Sequence, residues 1–156
     1  KKLGLISYDE TLVNELLELM VLSKVDYTIF FRKLSNIPDQ LTDLKESFYL
    51  PISEQIDAQW NSWLKRWQGR IQSCGDLRKT SAAMKLINPK YTWREWLIAP
   101  AYKKAEQGDY SLIKELQAVF TNPYDEQSLE VETKYDRLKP KKFFKFGGIS
   151  HYSCSS

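Results

Sequence analysis

The sequence is short of the residues on which compact active sites depend. It holds one histidine, His151, and two cysteines, Cys74 and Cys154, in 156 residues. A single histidine excludes a His-based zinc site, a His-x-x-x-His pair and a Ser-His-Asp triad carried on rigid elements. Two cysteines eighty positions apart, in a chain long enough to bury a core, imply no disulfide scaffold and point to the cytoplasm or another reducing compartment. The six glycines form neither G-x-x-x-x-G-K-[ST] nor G-x-G-x-x-G, so no glycine loop brings backbone N–H groups to a phosphate. No kinase-type His-Arg-Asp or Asp-Phe-Gly occurs, and no Asn-x-Ser/Thr sequon. The best apolar run, Leu16 to Leu22, contains Glu18 and falls far short of the roughly 18 residues that cross a bilayer, so no membrane partner is expected. The chain opens at Lys1-Lys2 with neither an initiator Met nor a leader pattern, and is read as a piece of a longer protein.

What is present describes a folding chain. With 42% hydrophobic, 13% aromatic and 28% charged residues it lies outside disordered and low-complexity compositions, and its length suits one domain. The net charge of +3 is uneven. Lys134, Arg137, Lys139, Lys141, Lys142 and Lys145 against Asp136 put +5 near the end, while the rest carries 17 basic and 19 acidic side chains. Phe143, Phe144 and Phe146 lie among those lysines. Such interleaving serves single-strand nucleic-acid binding, but a short tail tucked against the body is the commoner outcome, so nucleic acid is not the expected partner.

Hydrophobic periodicity predicts an all-α fold of five to six helices in an irregular bundle with an extended C-terminal tail. Leu12, Val13, Leu16, Leu17, Leu19 and Met20 mark a helix from about Asp9 to Ser23, with Ser7 and Glu10 as its capping box. Val25 to Leu34 has strand-like propensities yet reads as a helix capped by Asp26, because nothing nearby offers a partner strand. Residues 35–51 read as a connection with a short helical turn. Ser53 caps a helix whose stripe is Ile56, Trp60, Trp63, Leu64, Trp67 and Ile71; aromatic residues at this spacing are core rather than a ligand box. Further helices are expected over about Leu77 to Ile87, Tyr91 to Gln107 with Pro100 kinking it, and a last one capped by Asp109 or Ser111 that ends at Asn122-Pro123. Residues 1–124 would then form the helical domain and 125–156 an irregular basic tail.

Few residues suggest chemistry. Asp9-Glu10 and Asp125-Glu126 are adjacent carboxylates, but neighbouring side chains on a helix diverge, and a catalytic pair is not expected there. Arg94 reads either as a surface arginine or as a group reaching a buried ion pair or a partner surface. The two Asn-Pro pairs lie 34 residues apart, the spacing of a tetratricopeptide-like hairpin, but one unit is too few for an array. Cys154, two residues from the end, reads either as inert or as a thiol that His151 or the lysine cluster helps to ionise.

The run Asn88-Pro89-Lys90-Tyr91, Arg94, Leu97, Ala101, Ala105, Gly108-Asp109, Leu116 and Asn122-Pro123-Tyr124-Asp125-Glu126, followed by terminal Ser-Cys-Ser-Ser, resembles the C-terminal region of the selenoprotein O family of kinase-fold protein adenylyltransferases. The Leu-rich helix at Leu16 to Met20 with Asp26-Tyr27-Thr28, Phe31-Arg32 and Leu34-Ser35 is similar to the helical segment after the kinase-like core in that family. The resemblance implies that the complete protein transfers AMP from ATP, with Mg²⁺ or Mn²⁺, to Ser, Thr or Tyr hydroxyls of protein substrates. It also implies that the catalytic, nucleotide and metal residues lie upstream of Lys1 and that none lies in this chain. The expected partners are that upstream kinase-like core and the protein substrates. Cys154 would occupy the position of selenocysteine, with Ser153 replacing the adjacent cysteine of selenocysteine-bearing members. A redox partner for Cys154 would then be Cys74 or an upstream cysteine. The alternative function is a helical protein-interaction module without enzymatic activity, and a third is nucleic-acid binding through the tail.

Overall fold

The computed structural model describes residues 1–73 and 75–145. Among these residues the secondary structure is helical, with no strand and one isolated antiparallel bridge between Val25 and Phe48. Seven α-helices and two 3-10 segments stand where five to six helices were expected. The chain divides into two compact units, Lys1–Lys90 and Tyr91–Ser156.

The first unit is built on local caps. Helix α1 (Glu10–Leu22) starts at Asp9 rather than at a Ser7 capping box; the Asp9 carboxylate accepts from Leu12 N at 3.1 Å, and its charge also suits the positive end of the helix. At the other end Lys24 is left-handed (φ 49°), and Val25 N and Lys24 N donate to Met20 O and Val21 O. This is a Schellman closure with lysine in the glycine position. Helix α2 (Tyr27–Leu34) forms as expected: Asp26 accepts from Ile29 N at 3.1 Å and from the Tyr49 hydroxyl at 3.0 Å, and this cap overrides the strand propensity of Thr28, Ile29 and Phe31. The connection contains a 3-10 helix, Leu41–Ser47, which buries Leu41 and Leu44.

Helix α3 (Glu54–Gln72), capped by Ser53, carries the centre of the core. Trp60, Trp63 and Trp67 are fully buried, and each indole N–H donates: to Ser23 Oγ at 2.8 Å, Leu12 O at 2.8 Å and Leu3 O at 2.9 Å. Trp63 and Trp67 stack with ring centroids 6.1 Å apart, and Phe30 and Phe48 close on Trp60. The tryptophan stripe is core. Helix α4 (Leu77–Lys85) is capped by Asp76 and ends two residues earlier than the expected Ile87. Its Met84 packs on Gly4, where a Cβ would stand 2.8 Å from Met84 Sδ and from Thr80 Cγ2 at a φ of +71°.

The second unit pairs α5 (Glu95–Ala105) with α6 (Ser111–Thr121). Helix α5 begins four residues later than the expected Tyr91. Tyr91 N donates to Pro123 O at 3.1 Å, and Arg94 is extended (φ −122°, ψ 136°), so this backbone is engaged outside the helix. The helix runs through Pro100, whose missing N–H removes one ladder bond. Tyr110 holds the N-cap position of α6 without a side-chain bond, while Asp109 accepts from Ser111 N at 2.9 Å. Helix α7 (Leu129–Tyr135), capped by Ser128, stands inside the stretch read as irregular, and the division at 90/91 does not coincide with the boundary drawn at 124/125. Only seven residues long, α7 is too short to show a full apolar stripe. Its Tyr135 joins Tyr91, Trp96, Leu97, Ala101, Leu116 and Val119 in the core of this unit. A 3-10 turn, Lys141–Phe143, follows.

Candidate functional site

The residues of the Asn-Pro block that gave the most specific sequence pattern are structural clasps. Asn88 is buried, and its Nδ2 donates to Lys2 O and to Ser35 Oγ, both at 2.9 Å. Its Oδ1 accepts from Lys2 Nζ at 3.3 Å, and its carbonyl accepts from Arg32 Nη1 at 3.2 Å. Arg32 also donates to Lys85 O at 3.1 Å, so a buried guanidinium sits at the carbonyl end of α4, where the helix dipole favours a cation. Ser81 Oγ donates to Ser35 O, adding α4 to the same node. Periodicity carried no sign of this node, because its members lie up to 86 residues apart.

In the second unit the Asn122-Pro123 turn anchors the start of the α5 segment. The Tyr91 to Pro123 bond ties the segment before α5 to the turn after α6, and Gln127 Nε2 donates to Val119 O and Asn122 O, covering carbonyls at the end of α6. The hairpin read from sequence is thus present as α5 and α6. Arg94 is half-buried at the N-cap of α5.

The adjacent carboxylates do not pair for catalysis. Asp9 is occupied as a cap and by Arg70 at 3.3 Å, while Glu10 points to solvent. Asp125 and Glu126 are exposed. Among the described residues no group of three or more His, Cys, Asp or Glu could hold a metal ion.

The basic stretch stays largely exposed, with part of it held against the unit. Lys134 pairs with Glu115 at 2.5 Å, the Arg137 guanidinium lies 5.4 Å from the Trp96 ring centroid, and Lys142 lies 5.1 Å from that of Phe143. Phe143 itself packs on Trp96 with centroids 5.9 Å apart. Lys134 holds the Glu115 carboxyl below its ordinary value against the opposing effect of burial, while burial, then the Glu115 carboxylate, pushes the Tyr135 phenol up. Asp109, hydrogen-bonded by Ser111 and then by Lys104, is lowered to about 2. These shifts belong to surface closure of the hairpin, not to a proton-transfer pair. Cys74, His151, Ser153 and the redox candidate Cys154 lie outside the described residues.

Among the described residues no helix is long and apolar enough to cross a membrane. Aromatic cores closed by caps, ion pairs and side-chain clasps define an all-helical segment among the described residues. The family model for protein adenylyltransferase SelO matches residues 1–121, and the chain belongs to that family. It is 33% identical to protein nucleotidyltransferase YdiU of Aromatoleum aromaticum, over 99% of this chain and 31% of the relative. It is 39% identical to the YdiU protein of Stutzerimonas stutzeri and 37% identical to that of Tolumonas auensis, each over 95% of this chain and 29% of the relative. The chain therefore spans about a third of the length of the curated relatives it matches.

Proposed function

We propose that this chain is the C-terminal, non-catalytic helical part of a protein adenylyltransferase. In the intact protein a hydroxyl oxygen of a Ser, Thr or Tyr side chain attacks the α-phosphorus of ATP and loses its proton. The bond to the β-phosphate breaks, pyrophosphate leaves, and AMP stays on the protein substrate, with Mg²⁺ or Mn²⁺ serving the nucleotide. The observation that carries this reading is the family match over residues 1–121 in a chain that covers only about a third of its relatives. The upstream kinase-like core supplies the catalytic groups, and the segment described here supports it. The scarcity of cysteine supports a reducing compartment such as the cytoplasm. Incubation of the full-length protein with α-labelled ATP and Mg²⁺ or Mn²⁺ is expected to label protein; absence of label on itself and on every protein of a cell extract removes the reading.

Cys154 has a regulatory role within the same proposal: a terminal thiol that tethers the tail under oxidation. Cys154→Ser is expected to abolish the difference in AMP transfer between reducing and oxidising buffer, and a difference that persists removes that role. The α5 and α6 hairpin favours a second reading, a helical interaction module without transfer activity. Helical repeats of about 34 residues upstream of Lys1, in place of a glycine-rich loop and metal-binding Asp or Asn, would select it.

A further inference from the structure

We propose that the apolar groove beside Lys1, formed by residues 5–8 and the outward face of α1, seats the polypeptide that precedes Lys1 in the full-length protein. This rests on the reading that the chain is the C-terminal part of a longer family member.

Helix α1 is apolar on two sides. Leu12, Leu16, Leu19 and Met20 face the core. Val13, Leu17 and Val21 recur at steps of four residues and make a second stripe, on which Leu17 is 46% and Val21 78% exposed. A helix at the surface of a finished domain turns a polar face outward; one with a second apolar face is covered on that side too. The stripe continues into Ile6, 81% exposed, and into exposed Tyr8 and Tyr27. Leu17, Ile6, Tyr8 and Tyr27 border a groove of about 400 Å³ floored by Leu5, Val13 and Leu16. No carboxylate lines it. Its cations are Lys1 and Lys2, and the Lys2 ammonium is engaged by Asn88 and lies 5.5 and 5.4 Å from the ring centroids of Tyr27 and Phe31. A contiguous exposed apolar surface of this kind marks a place of contact.

The occupant follows from length and position. Roughly two thirds of a relative such as the Aromatoleum protein lies outside the matched region. Lys1 is itself part of the groove wall, so any segment joined to its nitrogen enters there at the high effective concentration of a tethered group. A free partner would have to displace it. The occupant is therefore apolar polypeptide from the same chain, packed along Val13, Leu17 and Val21.

The test uses the full-length protein with Leu17→p-benzoylphenylalanine, irradiated and mapped by peptide mass spectrometry. Cross-links within one chain to residues preceding Lys1 are expected. Cross-links to a second copy, to another protein or to nothing overturn the proposal. Hydroxyl-radical footprinting of the unmodified full-length protein gives an independent reading: Tyr8 is expected to oxidise several-fold more slowly than Tyr110, although it is the more exposed of the two in this chain. Faster oxidation of Tyr8 overturns the proposal. AMP transfer is read separately on the unmodified protein. An internal cross-link without transfer keeps the docking face and removes the enzymatic reading, and transfer with a cross-link to a second copy does the reverse.

Discussion

The two units are held together by different means. In Lys1–Lys90, among the described residues, fourteen buried apolar side chains gather around three tryptophans, and every one of those indoles donates a hydrogen bond inside the unit. In Tyr91–Ser156 the core comprises seven buried side chains among the described residues, and Trp96 Nε1, though buried, finds no hydrogen-bond partner among them. That unit is completed at its surface by Lys134 with Glu115, Lys104 with Asp109, and cations over aromatic rings. The first arrangement stabilises mainly by area removed from water with its polar atoms satisfied. Exposed ion pairs occur in both units and are individually weak and screened by salt, so the difference lies in the size of the core and in whether its polar atoms are satisfied.

The largest expected effect sharpens this contrast. Trp63→Ala should destabilise the first unit by roughly 3–5 kcal/mol, read as faster native-state hydrogen exchange in α1 and α3 of the full-length protein. Trp96→Ala in the second unit should cost about 1–2 kcal/mol less, because it also removes an N–H without a partner; equal losses would break the comparison. Next come two glycines. Gly4→Ala brings a Cβ against Met84 and Thr80 at a positive φ and should cost about 2–4 kcal/mol, whereas Gly108→Ala, with φ +80° and open space around it, should cost about 1 kcal/mol. Denaturation midpoints that move alike for both would show that the first unit relaxes around Gly4.

Acid should act on the second unit through its carboxylates. Asp109 falls from an ordinary 3.8 to about 2, and Glu115 lies below its ordinary 4.5. A carboxyl depressed in the folded state contributes stability that is present above its unfolded value and lost as pH falls through its folded one. Between about pH 4.5 and 2, amides of α6 should therefore lose protection, and Asp109→Asn with Glu115→Gln should remove that acid step. The step persisting in the double variant would assign it elsewhere. The smallest effect is a gain: Lys24→Gly relieves the left-handed position after α1 and should stabilise by about 0.5 kcal/mol, a slight upward shift in denaturation midpoint. A shift downward would show that the Lys24 side chain contributes more than its backbone costs.

Much of the helical content was legible because it is local. The α3 stripe follows the helical period through six apolar positions, and Asp26 and Ser53 announce their helices in sequence. The stripe of α1 was legible only as an excess: Leu17 was counted with the core face, and its solvent exposure separates it from that face, while half-buried Val13 lies between the two. What failed was set by distant partners. Tyr91 reads as helix until Pro123 takes its N–H, and Asn88 reads as a stop signal until Lys2, Arg32 and Ser35 converge on it. Helix α7 had one usable signal, Ser128 followed by Glu130 and Glu132 in the first turn, too brief for a periodicity argument.

The bond from Asn88 to Lys2 also fixes an order of events. It joins residues 86 apart, and closing so long a flexible loop costs about 4 kcal/mol in chain entropy before any contact repays it. Helices that form in between shorten the path, so the clasp is expected to close late, and only after residue 88 has been synthesised. Asn88→Ala is accordingly expected to speed unfolding and leave the refolding rate nearly unchanged in stopped-flow measurements, whereas slowed refolding would place the clasp in the folding nucleus. The segment Lys1 to Leu3 is then a latch, synthesised before Asn88 and secured only once Asn88 reaches it.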